Sequence, residues 1–372
     1  MEEDLVQGVL NLAIDIYKQV QSDDGNVVFS PFSISAALSM ILAGTRGDTF
    51  KQITSALHIK TEDVHESFSK LQKSLLNSTY DITLRVANRI YADKSVKLLS
   101  AYSTLLEKRY SATLKSADFA HNAECVRQMI NAWVEKTTEG KIQDLLAPGV
   151  IDLSTLLVLV NAVYFKGTWQ EPFEKCETTL MDFHETSSAS KKVDMMSQKG
   201  RFRMGHSRRL KASTLRKSYS GGKSSMVILL PDDVEGLKFL EENLTVDNLS
   251  SALRDARTVN DVEFYLPKFK VERDMDLKAV LQSLGIKDLF LDTADLSGIT
   301  EQKNVSFTDA VHKAFADVNE EGTEAAAASA FAMARCGMPS KPSIFKVDHP
   351  FMFLIVAGDP DVVLFIGSVR RL

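Results

Sequence analysis

The chain is poor in the residues that define small disulfide-stapled domains and metal proteins. Only three cysteines occur in 372 residues: Cys125, Cys176 and Cys336. Three thiols cannot build a disulfide framework, so the fold must rest on its core. Cys125 and Cys176 read as structural thiols, and Cys336 as an exposed one. No apolar run reaches the ~18 residues of a membrane-crossing helix. The N-terminal Met1-Glu2-Glu3-Asp4 is acidic and lacks the basic-then-apolar layout of an export signal. A cytosolic protein, one exported without such a signal, and a processed chain all fit it. A net charge of −5 offers no broad pull toward nucleic acid or anionic membrane, and neither is expected as a partner.

Catalytic signatures are also missing. There is no G-x-S-x-G elbow, H-E-x-x-H pair, C-x-x-C pair, phosphate loop or dinucleotide glycine fingerprint. The seven histidines (58, 65, 121, 184, 206, 312 and 349) stand at no metal-ligand spacing. An enzyme would need a constellation that sequence does not display. No metal and no cofactor is expected.

What the chain does have is core. It is 44% hydrophobic and 25% charged, which suits one large soluble α+β unit without linker or repeat. Leu5, Val9, Leu12 and Ile14 predict an amphipathic helix over 5–20. A strand is expected at 26–31, broken by Pro31, then a helix ending near Gly44. Helices are predicted over 62–77 and 125–146. Alternation predicts a strand over 81–92. The near-continuous apolar run 156–165 predicts a strand buried on both faces. Further strand-like runs lie at 226–230, 262–269, 305–318 and 351–367.

One segment fits two states. Asn319-Glu320-Glu321-Gly322-Thr323-Glu324-Ala325-Ala326-Ala327-Ala328-Ser329 is rich enough in alanine for a short helix. Yet no 3.6-residue apolar stripe follows Gly322. With a period of two, Thr323, Ala325, Ala327, Ser329, Phe331 and Met333 share one face of a strand. The segment is compatible with an exposed loop or with a strand.

That run, with several others, resembles the serpin family of protease inhibitors. Asn26 to Ser35 is similar to the family's early strand-to-helix segment. Leu159 to Trp169 is similar to a central strand of its main sheet. His312-Lys313-Ala314 leads into the loop as in serpins, and Asp348 to Phe353 with Phe365-Ile366-Gly367 resemble its C-terminal strands. Lys192 to Met196, Ala294 to Gly298 and Asp359 to Phe365 look like tick salivary serpins in particular. The resemblance covers the whole chain in order. It implies a single serpin domain over 1–372, with three β-sheets, a helical cluster and an exposed reactive-centre loop over about 319–345.

The resemblance also implies a mechanism. A target serine protease attacks a bait bond in the loop and forms an acyl-enzyme. The N-terminal part of the loop then inserts into the main sheet. The resemblance makes Glu321, Gly322, Thr323, Glu324, Ala325, Ala326, Ala327 and Ala328 the hinge, and its small alanine side chains suit insertion between strands. Insertion of about a dozen residues would add ladder hydrogen bonds at roughly 0.5–1.5 kcal/mol each. Ser30, Ser33, Asn161 and His312 match the family's polar cluster under the sheet opening. Trp169 matches the tryptophan where insertion begins. The plain alternative for each is ordinary buried packing.

Arg335-Cys336 is the expected bait bond. Arg335 is the one basic residue between Gly322 and Lys341, and a long cation suits trypsin-like proteases. Counting from Gly322 by family spacing gives Cys336, whereas counting back from Asp348-His349-Pro350 gives Arg335. Met333 and Phe331 remain alternatives suited to chymotrypsin- or elastase-like targets. A non-inhibitory binding protein with this fold is the other reading, as is a cytosolic inhibitor.

Two further features stand apart. Arg201, Arg203, Arg208, Arg209, Lys211, Arg216, Lys217 and Lys223 form a basic stretch without an acid. It is either a solvated surface or a glycosaminoglycan or protease exosite. Within it, Leu215-Arg216-Lys217-Ser218-Tyr219 lacks the proline usual in the family, which puts the local strand in question. Sequons stand at Asn77, Asn243, Asn248 and Asn304, and as glycan acceptors they favour a secreted glycoprotein; a monomer is expected.

Overall fold

The computed structural model describes residues 2–21, 25–59, 64–78, 82–110, 112–322 and 342–372. Its helices are α1 (Glu2–Val20), α2 (Pro31–Gly44), α3 (Gly47–Ala56), α4 (Val64–Ser78), α5 (Ser100–Tyr110), α6 (Phe119–Thr137), α7 (Leu237–Glu242), α8 (Val246–Arg254) and α9 (Leu277–Ser283). Its strands are β1 (Val27–Phe29), β2 (Ile82–Asp93), β3 (Thr113–Ala117), β4 (Leu157–Gly167), β5 (Thr179–His184), β6 (Ser190–Ser207) and β7 (Ala212–Ser218). They continue with β8 (Ser224–Pro231), β9 (Arg257–Pro267), β10 (Phe269–Asp276), β11 (Phe307–Val318), β12 (Ser343–Lys346), β13 (Phe351–Ala357) and β14 (Val362–Val369).

The strands form a five-stranded sheet ordered β10-β11-β4-β2-β3 and a nine-stranded path ordered β1-β14-β13-β8-β7-β6-β9-β12, with β5 on β6. The long β6 joins two wings of that path. It pairs with β7 over 203–207 and with β9 from Met195, with a register shift between Gly200 and Phe202. The expected three sheets are therefore the five-stranded sheet and two wings that share β6.

The apolar run predicted to be buried on both faces is β4. Its alternate residues enter two separate cores. Leu157, Leu159, Val163 and Phe165 join the large core shared with the nine-stranded path. Val158, Val160, Ala162 and Tyr164 join a second core under α6, with Phe119, Ile130 and Val134. Helix α2 is apolar around its whole girth because it too is enclosed. Ser30 caps it, accepting the Ser33 N–H at 3.2 Å, and Pro31 occupies its first turn.

Several boundaries differ from expectation. The helix predicted over 125–146 runs from Phe119 to Thr137, because the chain then turns through Glu139, Gly140 and Asp144 at positive φ. The run 351–367 is two strands, reversing at Gly358 (φ +88°). Helices α3 and α5 and the polar strand β6 were not anticipated, because exposure dilutes their apolar pattern. Cys125 and Cys176 are not structural thiols: both are exposed and free. Cys125 lies on the outer side of α6, which turns Val126, Ile130 and Val134 inward, and Cys176 lies on a surface turn. Cys336 lies outside the described residues.

Candidate functional site: the opening between β4 and β11

Strands β4 and β11 are parallel neighbours, paired from Phe307 with Leu157 to Phe315 with Tyr164. They are joined by no direct turn, so their shared edge is a seam between distant parts of the chain. Two features sit on that seam, a buried polar network halfway along it and a turn at its end.

The network contains all four residues expected there. His312 and Asn161 are direct register partners across the seam, and Asn161 in turn faces Asn88 of β2. The Ser30 backbone N–H donates to His312 Nε2 at 3.1 Å, and His312 Nδ1 bonds the Asn161 amide oxygen. Asn161 Nδ2 donates to the Ser33 hydroxyl at 2.7 Å, to the Ser33 carbonyl at 3.2 Å, and to Asn88 Oδ1. Because Nε2 accepts, the imidazole is neutral with its proton on Nδ1. Burial pushes the His312 pKa down to about 3. The network ties helix α2 to three strands, and Asn88 is the member the sequence did not signal.

At the end of the seam the chain reverses. Asn319 and Gly322 form a tight turn through two backbone hydrogen bonds of 2.9 and 3.2 Å. Gly322 then bridges antiparallel to Thr168, just past β4. Trp169 N–H donates to the Glu321 carbonyl at 3.0 Å, Phe173 N–H to the Glu320 carbonyl at 2.8 Å, and Trp169 Nε1–H to the Asn319 carbonyl at 3.0 Å. Trp169 is buried and stacks on Tyr219 with centroids 4.4 Å apart. Gly322 sits at φ +125°, and a Cβ there would come within 2.1 Å of the Gly167 carbonyl oxygen. Glycine is required by both space and conformation.

The turn is also pinned by charge. Lys268 approaches the buried Glu320 at 3.1 Å, and the Thr178 hydroxyl donates to it at 2.9 Å. Burial alone would raise the Glu320 carboxyl. The hydrogen bonds from its own backbone N–H, Thr178 and Lys268 outweigh that and hold it below the usual range. Lys175 pairs with Glu321 on the outside.

Gly322 thus bridges antiparallel to both Asn319, just past β11, and Thr168, just past β4. Thr323, Glu324, Ala325, Ala326, Ala327, Ala328, Arg335 and Cys336 lie outside the described residues. The chain returns at β12, whose Ser343 pairs parallel with Val262 of β9.

The basic stretch does not stay together. Arg201, Arg203, Arg216 and Lys217 line one cleft. Arg209 reaches Asn248, and Lys211 lies over the Phe239 ring at 4.5 Å. Arg208 and Lys223 are exposed away from that cleft. The proline-lacking segment is a regular strand: β7 pairs with β8 as far as Ser218 with Ser225, and the Ser218 carbonyl accepts from Gln170 at 3.0 Å.

The sequons differ in access. The amides of Asn243 and Asn248 are engaged with the Phe239 and Asn243 carbonyls, both at 2.8 Å, and Thr245 caps α8. Asn304 is exposed on a turn. The backbone of Asn77 lies in the last turns of α4.

Comparisons with known proteins agree with this geometry. The serpin (serine protease inhibitor) family profile matches residues 7–372. Iris, from the tick Ixodes ricinus, is 51% identical over 377 residues, covering 100% of both chains. The leukocyte elastase inhibitor of Sus scrofa is 42% identical and covers 99% of each. The structure of uncleaved ovalbumin superposes with a TM-score of 0.89 at 29% identity, covering 99% of this chain and 100% of that one.

Proposed function

The chain belongs to the serpin family, and we propose that it irreversibly inhibits trypsin-like serine proteases, with Arg335-Cys336 as the bait bond. The observation that carries this reading is the turn at Asn319–Gly322, whose last residue bridges antiparallel to Thr168 at the end of the parallel β4–β11 seam. A strand placed between two parallel strands and antiparallel to both satisfies its backbone on each side. The hinge that follows, Thr323 to Ala328, is nearly all small residues, so its inward face can pass between packed strands without overpacking. A binding protein that never inserts its loop has no need of such a hinge.

A protease acylated at Arg335 would be carried along the seam as the hinge enters, so the covalent complex outlasts hydrolysis. The protein then acts as a consumed substrate and not as a catalyst. Arg335 supports a trypsin-like target because its cation matches an acidic primary pocket. An elastase-like target, using Phe331, Met333 or Cys336, is the second reading, favoured by relatives named leukocyte elastase inhibitor. We place the protein outside the cell as a monomer, with Asn304 the most accessible glycan acceptor among the sequons whose side chains are described. The basic stretch adds a candidate glycosaminoglycan contact.

The test is incubation with trypsin, chymotrypsin and elastase in parallel, followed by denaturing electrophoresis and mass spectrometry. The expected result is a stable complex with trypsin and release of Cys336–Leu372. Cleavage without complex would overturn inhibition, and a released fragment starting at Gly337 would move the bait to Cys336.

A further inference from the structure

Beside the turn lies a buried lysine that has no carboxylate partner among the described residues. Lys217 is 3% exposed. Its Nζ donates to the Glu171 backbone carbonyl at 2.7 Å and to Gln198 Oε1. It also stands 4.4 Å from the Phe173 ring centroid, 5.2 Å from Trp169 and 5.7 Å from Phe202. Dipoles and ring faces attract a cation, but none of them neutralises it. Among the described residues no carboxylate pairs with it, although the Glu171 charge favours its protonated form. Burial pushes its pKa down to about 7. A buried charge is costly unless it is paired.

The space next to this amine is basic. A cleft of about 290 Å³ is lined by Arg201, Arg203, Arg216, Lys217, Ser218 and Thr258. Strand register gathers these groups: Arg203 faces Arg216 across β6 and β7, and Thr258 across β6 and β9. Like charges set opposite one another repel unless something lies between them. Arg216 is paired with Asp361. Among the described residues the Arg203 side chain makes one hydrogen bond, to the Ala256 carbonyl at 3.3 Å. Arg201 is exposed and makes none among the described residues. Cationic donors therefore outnumber acceptors around an open polar cleft, whose one acid among the described lining residues is Glu171.

We propose that this cleft binds a small tetrahedral oxyanion, a sulfate or phosphate group, which supplies the counter-charge of Lys217 and is held on its outer side by Arg201 and Arg203. The site touches the insertion point. Residues 168–173 carry the N–H groups that hold the hinge turn, and the same segment gives Lys217 its carbonyl acceptor. An occupied cleft stiffens that segment and slows loop entry. This consequence rests on the inhibitory reading above, whereas the binding itself does not.

The experiment is titration calorimetry on the intact, uncleaved protein, at ionic strength held constant with sodium chloride. Sodium sulfate, sodium phosphate and a monosulfated glucosamine are titrated separately. One saturable site is expected, weakening as pH rises from 6 to 8 as Lys217 loses its proton. Arg201→Ala and Arg203→Ala should each weaken binding at least fivefold, and Lys217→Met at least tenfold. Tighter binding of the sulfated sugar would identify a saccharide source, and equal binding a free anion; either supports the site. No saturable binding of any probe, or binding unchanged in the arginine variants, would overturn it, whether or not Lys217→Met folds. Retained binding in a protein that forms no protease complex would sink the inhibitory reading and leave the site standing.

Discussion

Asn161 and His312 face each other as direct partners across the β4–β11 seam, with the imidazole bonded at one nitrogen to the Asn161 amide and at the other to the Ser30 backbone N–H. Any strand that enters the seam must separate this pair. The network is therefore both a clasp on the closed sheet and a barrier to its opening.

Asn161→Ala should lower stability by about 2–3 kcal/mol, because it leaves buried partners on His312 and Ser33 unsatisfied. Denaturant unfolding followed by far-UV circular dichroism checks this. A midpoint within error of the wild type would show that the network is slack.

Acid should weaken the same clasp. His312 is neutral in the fold, with its pKa depressed from 6.5 to about 3. The unfolded chain binds the proton first, so stability is full above about pH 6.5 and falls as pH drops toward 3. The slope from this one group is at most ~1.4 kcal/mol per pH unit. Unfolding midpoints measured between pH 7 and 4 should show that loss, and a His312→Gln variant should flatten it.

Gly322→Ala should loosen the turn. Its Cβ would press on the Gly167 carbonyl oxygen in a conformation that L residues avoid. The expected cost is about 1–3 kcal/mol. Hydrogen exchange at the Trp169 and Phe173 amides, which bond the turn, should rise. Unchanged protection there would refute the close packing.

Glu320→Gln should cost about 1–2 kcal/mol, since the Lys268 end of the pair is partly exposed and screened. The Glu320 carboxyl is held below its ordinary value of 4.5. The difference between variant and wild type should therefore be full above about pH 4.5 and shrink as pH falls through the lowered folded value. A Lys268→Ala, Glu320→Gln cycle at neutral pH measures the coupling.

On the proposed mechanism, Thr323→Arg should convert the protein from an inhibitor into a substrate. A guanidinium at the first inserting position would have to be buried between strands without a partner. Electrophoresis with trypsin should then show cleavage at Arg335 and little complex. Undiminished complex formation would mean that position 323 stays outside the sheet.

The elements most visible beforehand were those with a strict period. Helix α1 and strand β4 follow from the spacing of Leu5, Val9 and Leu12 and from the unbroken run at 156–165. Strand β6 and helix α5 do not read from sequence because their buried residues keep no clean period: β6 buries the adjacent Met195 and Met196, and α5 turns only Tyr102, Leu106 and Tyr110 inward. Polar residues there carry no period to read. The end of α6 was misplaced because backbone at Glu139 and Gly140, and not composition, stops it.

Sequence alone determined the family, and it also carries the small-residue run proposed as a hinge and the proposed bait, because these depend on which side chains occur in what order. The tertiary structure decided the rest. It set His312 beside Asn161 and brought in Asn88, since a seam between parallel strands joins residues some 150 positions apart. It also divided the basic stretch, burying Lys217 on β7 and leaving Arg208 exposed on the turn after β6, because only strand register and the place of the turn say which neighbours each side chain meets.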